Sequence, residues 1–182
     1  PGLDFERIWK IVEDAYPVIR ENPQYPWNGE KASEFAGGSG TYNDPYLIST
    51  AEQLIYFAEQ VNDPDSDAPV YEINASINLI YRNVYFRLTN DIVLNADHEN
   101  YADWLTKAPQ NEWTPIGMHD KRAFAGNFNG AGYTIYGLYC DTTTINHNGG
   151  TGFFGRTYNA TIEHVTVKNA CIIGQQRVGG IV

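Results

Sequence analysis

The spacing of apolar residues changes partway along the chain. Leu54, Phe57, Ala58 and Val61 fall at i, i+3, i+4 and i+7, one stripe of an amphipathic helix. Just before them, Ser49-Thr50-Ala51-Glu52-Gln53 offers a capping box in two registers, Ser49 with Glu52 or Thr50 with Gln53. The spacing predicts a helix over 50–62, closed off by Pro64. From about Val84 onward the period drops to two. Residues 85–89 and 91–94 read as strands around Asn90, and 125–128 and 134–136 flank the turn sequence Asn129-Gly130-Ala131-Gly132. Thr161 to Val167 alternates as one further strand, with Ile162, Val165 and Val167 turned inward. No second helical stripe separates these strands, which argues against a βαβ fold.

The first 26 residues are ambiguous. Phe5, Ile8, Trp9 and Val12 fit a helix, whereas Phe5, Trp9 and Ile11 fit alternation, and Pro17, Pro23 and Pro26 then break the pattern. Residues 1–26 are expected to be a linker or the tail of a preceding module, and 27–182 the main unit, with a Gly37-Gly38-Ser39-Gly40 joint near its start. The opening Pro1-Gly2-Leu3 and the apolar ending Gly179-Gly180-Ile181-Val182 read as the ends of a piece taken from a longer protein.

Internal similarity sets the expected architecture. A shift of 27 residues brings Thr134 onto Thr161, Ile135 onto Ile162, Leu138 onto Val165 and Asp141 onto Lys168. It also brings Gly152 onto Gly179 and Phe154 onto Ile181. Repeats of this length mark solenoids, in which each coil buries its apolar side on the next. The expectation is a mainly β chain forming a parallel β-solenoid, with helix 50–62 capping the N-terminal end of the stack.

Composition refines that picture. Seventeen Gly and 17 Asn supply turns, 13 Tyr favour strands, and only 19% of residues are charged. Lys and Arg number 12 against 22 Asp and Glu, a net charge of −10, which disfavours nucleic acid and anionic lipid as partners. No apolar run approaches the ~18 residues of a membrane span, so no membrane insertion is expected. Cys140 and Cys171 lack any CxxC spacing, and buried free thiols are their expected state.

Several ordered motifs resemble one family. Ser39-Gly40-Thr41, the run from Asp44 to Leu54, Leu88-Thr89-Asn90-Asp91-Ile92 and Trp113-Thr114-Pro115-Ile116-Gly117 occur in the order seen in bacterial surface domains bearing the GLUG motif. The stretch from Phe124 to Ile135 is similar to that family's F-x-G-x-F-D-G-x-G-x-x-I, with Asn129 in the Asp position. Gly152-Phe153-Phe154-Gly155 resembles its G-L-F-G, and Val178-Gly179-Gly180-Ile181-Val182 its V-G-G-I-V-G. The resemblance covers roughly 39–182; residues 63–83 form a longer stretch than the family pattern. It implies a right-handed β-helix module of a large exported bacterial protein, such as a surface adhesin or an IgA-peptidase relative. Such a module is extracellular or on the cell surface, and non-catalytic. Its partners would be a host glycan or protein and the neighbouring domains of its own polypeptide.

The 27-residue register stacks no two acids, since Asp141 falls over Lys168 and Glu163 over Tyr136, so the paired carboxylates of a glycoside hydrolase are not predicted. A carbohydrate-active β-helix enzyme remains the alternative. Asp63-Pro64-Asp65-Ser66-Asp67 lacks the Gly and Glu of a calcium loop and reads as a turn. His98, His119, His147 and His164 show no metal-ligand spacing, and Gly37-Gly38-Ser39-Gly40-Thr41 lacks the P-loop Lys, so no cofactor or metal is expected. Trp27, Trp104, Trp113, Tyr133, Tyr136 and Tyr139 are the aromatics available for a ligand platform, with Trp113 expected in the core. Tyr136 and Tyr139, alternating with Ile135 and Leu138, are the candidate ligand face.

Overall fold

The computed structural model describes residues 9–10, 18–19, 25–74, 77–118, 121–145 and 149–182. In chain order its elements are strands β1 (Trp9–Lys10), β2 (Val18–Ile19) and β3 (Tyr46–Ile48), helix α1 (Ala51–Asn62), then β4 (Val70–Asn74), β5 (Ile77–Ile80), β6 (Tyr85–Leu88) and β7 (Ile92–Val93). A 3-10 segment over His98–Leu105 precedes β8 (Arg122–Phe124), β9 (Asn127–Asn129), β10 (Thr134–Tyr136) and β11 (Tyr139–Asp141). The last elements are β12 (Thr161–Glu163), β13 (Thr166–Lys168) and β14 (Cys171–Ile173). Apart from the antiparallel β1–β2 pair, the expectation for residues 1–26 lies largely outside the described residues.

The chain is mainly β, and its sheets are predominantly parallel. Consecutive strands β9, β10 and β11 do not pair with one another. Each pairs with strands far away in sequence, giving the ladders β12-β9-β6-β3, β13-β10-β7, β11-β14 and β4-β5-β8. All pairings in the first three ladders are parallel, as is β5–β8, while β4–β5 is an antiparallel hairpin. Hairpin-built sandwiches pair neighbours in antiparallel fashion. Here each of these short strands is followed by a turn, and its partners lie far away along the sequence.

Registers correct the 27-residue shift over most of the chain. Ile135 lies opposite Val167 and Ile92, not Ile162. Ile162 lies opposite Phe128, and Phe128 opposite Phe86. Asp141 faces Ile173 and Lys168 faces Tyr136, so the expected Asp141–Lys168 step does not form. The 27-residue spacing does hold near the C-terminus, where Thr151 bridges Val178 and Phe154 N–H donates to Ile181 O at 2.7 Å. Loops absorb insertions at little entropic cost, so ladders stay aligned while the repeat length drifts. The single strand expected over 161–167 is divided into β12 and β13. His164 adopts φ +52° between them, so the apparent alternation in the sequence runs straight through a corner.

The turn sequences are explained by how closely neighbouring backbone segments approach. A Cβ on Gly130 would sit 2.3 Å from His164 O, and one on Gly126 would sit 2.8 Å from the carbonyls of Tyr81 and Val84. At both positions a neighbouring backbone occupies the space of a side chain. The Asn129 side chain completes the turn, its Oδ1 accepting from Ala131 N–H at 2.7 Å where Ala131 takes φ +53°.

Helix α1 docks its stripe on the core. Leu54, Phe57 and Val61 are fully buried, and the Phe57 ring meets those of Phe86, Phe124 and Phe128 at 4.5–5.6 Å. Burying three such side chains contributes on the order of 1.5–3 kcal/mol each. At its N-terminus the second capping register wins: Thr50 Oγ1 accepts from Gln53 N–H. The return bond from Gln53 goes to Ser49 rather than to the cap residue, through both the Ser49 N–H and its hydroxyl. At the far end Arg122 is buried and donates to the carbonyls of Gln60 and Val61, satisfying last-turn acceptors with a cation where the helix dipole favours one. Asn62 anchors the same end by donating to Pro115 O and accepting from the N–H groups of Gly117 and Met118.

Candidate functional site

The four-stranded ladder β3-β6-β9-β12 has two faces with different chemistry. Alternation sends the column Tyr46–Phe86–Phe128–Ile162 into the core. The residues on either side of it form two outward columns, Tyr85–Asn127–Thr161 and Arg87–Asn129–Glu163. In a parallel ladder equivalent residues repeat about every 4.8 Å, so the two columns make a regular grid of polar and aromatic groups.

That grid floors an open groove of about 460 Å³, lined also by Tyr42 and Pro45 from the loop before β3. Tyr42 and Tyr85 form one wall, their rings edge to face at 5.5 Å, with Tyr42 77% exposed. At the opposite end Asn129 Nδ2 donates to Glu163 Oε1 at 2.8 Å while its Oδ1 is committed to the turn. Both polar atoms of the Asn129 amide are thereby engaged, and Glu163 is held in place. Arg87, Asn127, Thr161 and the Tyr42 and Tyr85 hydroxyls make no side-chain hydrogen bond or ion pair among the described residues. Among the described residues, Glu163 is the sole carboxylate lining the groove.

The residues singled out from sequence fall elsewhere. Tyr139 is 7% exposed and packs edge-on to buried Trp104 beneath the 3-10 segment, while Tyr136 is half-buried against the His98 ring at 5.2 Å. They do not form one open face: they lie on separate ladders, β10 and β11, and residues of the 3-10 segment pack against both. Trp113 is in the core as expected, stacked on Phe153 at 5.2 Å with its N–H donating to Phe153 O. Phe153 and Phe154 are fully buried in the same cluster. Gly150 N–H donates to Gly155 O, and a Cβ on Gly152 would meet Gly179 O at 2.6 Å. The flanking glycines thus let two stretches of backbone approach, and Phe153 N–H reaches Gly180 O at 3.3 Å.

Several other candidates resolve into structure. Asp63 Oδ1 accepts from Asp65 N–H and Ser66 Oγ donates to Gln60 O, so the Asp-rich run is a turn closing α1. Among the described residues no three His, Cys, Asp or Glu side chains converge as a metal site would require, and His119 and His147 lie outside them. Both cysteines are free and buried. Tyr139, not Cys140, faces Cys171, so the two thiols point to opposite sides of neighbouring strands. Burial pushes the Cys140 thiol up to about 12. The corrected register still sets no acid opposite another acid in the ladders described.

Comparison with known proteins gives two relatives. The chain is 33% identical, over 76% of its length, to a protein of Evansella cellulosilytica named "Putative Gly-rich membrane protein". It is 27% identical, over 93% of its length, to halomucin of Haloquadratum walsbyi. The chain spans 13% of the first relative and 2% of the second. No family model matches the sequence. No solved structure matches it significantly. Among the described residues no helix is long and apolar enough to cross a membrane.

Proposed function

We propose that this chain is a non-catalytic β-solenoid module of an exported or cell-surface protein, of the GLUG type, whose outer surface is its working part. The observation that carries the reading is the pairing pattern. Short strands separated by corners pair in parallel with strands a circuit away, and the aromatic and aliphatic side chains of successive circuits stack in one interior column. Helix α1 then acts as the cover for that apolar interior. Such an architecture makes length and surface rather than an enclosed cavity. The names of the two relatives, one a membrane protein and the other halomucin, support placement at the cell envelope. The groove also fits a non-catalytic role, because acid–base glycosidase chemistry uses two carboxylates and it offers one, held by Asn129.

The test is surface accessibility on the cells that make the protein. Antibody raised against residues 25–182 is expected to label intact cells, and added trypsin is expected to remove that label. Labelling only after cells are broken open would overturn the assignment.

A further inference from the structure

We propose that the outer face of the β3-β6-β9-β12 ladder binds a linear, uncharged polysaccharide of β-linked pyranose rings, laid across the strands with about one ring per strand. This inference rests on the reading of the module as an outward-facing, non-catalytic one, and names the ligand class of its groove. The geometry points to a polymer first. The groove is partly open and runs across three neighbouring strands, β6, β9 and β12. Its floor repeats at the inter-strand spacing of about 4.8 Å, close to the rise of one pyranose ring and its linkage. A chain crossing β6, β9 and β12 would therefore meet an equivalent pair of side chains at each ring.

The chemistry of those side chains points to sugar hydroxyls. Asn127 offers an amide with both a donor and an acceptor, Arg87 a planar fork of donors, and Thr161 a hydroxyl. All three lack protein partners among the described residues. Neighbouring hydroxyls of a pyranose match such bidentate groups, while the apolar face of the ring packs on an aromatic wall, here Tyr42 and Tyr85. A protein partner would require an apolar anchor pocket at the centre. The centre of this groove is instead Asn127 and Asn129.

Charge decides between neutral and acidic polymers. Among the described residues Arg87 is the one cation lining the groove, and Glu163 stands two strands away in the same column. The whole chain carries −10. An acidic polymer long enough to reach Arg87 and continue across the ladder runs directly onto the Glu163 carboxylate, two strand spacings (about 10 Å) on, where the two like charges come into contact and salt screens them little. An uncharged chain pays no such penalty and still uses Arg87 as a hydrogen-bond donor.

The experiment is an NMR amide-shift titration of the chain with cellohexaose, N-acetylchitohexaose and hexagalacturonate in turn. At least one of the two neutral hexamers is expected to give saturable shifts centred on residues 85–87, 127–129 and 161–163, with hexagalacturonate giving none there. Arg87→Ala and Asn127→Ala are each expected to weaken that binding at least five-fold, and Tyr136→Phe to leave it unchanged. Arg87 is exposed, so its variant keeps the fold and remains informative if Asn127→Ala does not. Silence from both neutral hexamers, shifts centred elsewhere, tighter binding of hexagalacturonate, or undiminished affinity in Arg87→Ala would each overturn the proposal. None of these outcomes would touch the surface assignment, which intact-cell labelling reads independently.

Discussion

Glycine and asparagine carry much of the structural information in this chain. Gly130 is required because the His164 carbonyl, between β12 and β13, occupies the place of its Cβ. Gly130→Ala is expected to destabilise the protein by about 1–3 kcal/mol, since backbone rather than a flexible side chain must move. Gly180→Ala, at a position with nothing within 4 Å, is expected to be near neutral; urea melts of the two variants make the comparison. Asn95 works differently. It is buried, its Nδ2 donating to the carbonyls of Asn111 and Gly137 and its Oδ1 accepting from Asn111 N–H. Asn95→Leu strands three backbone groups that a folded interior must satisfy, and is expected to cost several kcal/mol in the same melts, at about 1–3 kcal/mol per buried group left unpaired.

Among the elements, helix α1 is the one whose contribution can be read in isolation. Phe57 touches rings from β6, β8 and β9, so removing it opens a cavity shared by two ladders. Phe57→Ala is expected to lower stability by about 3–5 kcal/mol. The Leu54→Asp/Phe57→Asp pair should prevent the helix from docking at all, and an unchanged melting temperature in that variant would show that the helix does not cover the core. The β4–β5 hairpin is a different kind of element. Its antiparallel pairing and exposed Val70, Tyr71 and Ile73 mark it as an insertion beside the parallel ladders, steadied in part by Arg82 stacked 4.4 Å above the Tyr71 ring.

At the scale of the molecule, pH reports on the packed interior. Burial raises the proton affinity of the Cys140 thiol, and of the Tyr81 and Tyr139 hydroxyls. These groups are neutral in the folded state, so they leave stability unchanged below their unfolded values of about 8.5 for Cys and 10 for Tyr. Above those values the unfolded chain releases protons that the folded chain retains. Stability is therefore expected to fall as pH rises from about 9 towards 12, by at most about 1.4 kcal/mol per pH unit for each group. Urea unfolding as a function of pH checks the direction, and Cys140→Ala should flatten the first part of the decline. In keeping with this, Cys140 should resist alkylation at pH 8 until denaturant is added.

The local order of the chain was legible without coordinates. The stripe Leu54-Phe57-Ala58-Val61 specified α1, the Asn129-to-Gly132 turn specified a corner, and the Gly/Asn/Tyr content specified a mainly β chain that turns often. These follow from side-chain period and backbone permissiveness, which act within a few residues. Which strand lies on which was decided only in three dimensions. Loops of unequal length let the sequence separation of paired strands vary, so Ile135 found Val167 while a fixed shift pointed to Ile162. The candidate site depended on the same step. Tyr136 and Tyr139 alternate outward in sequence yet lie beneath the 3-10 segment, and Arg87, Asn127 and Glu163 carry no shared motif. Only the parallel register, which spans more than 70 residues, brings those three side chains onto one face.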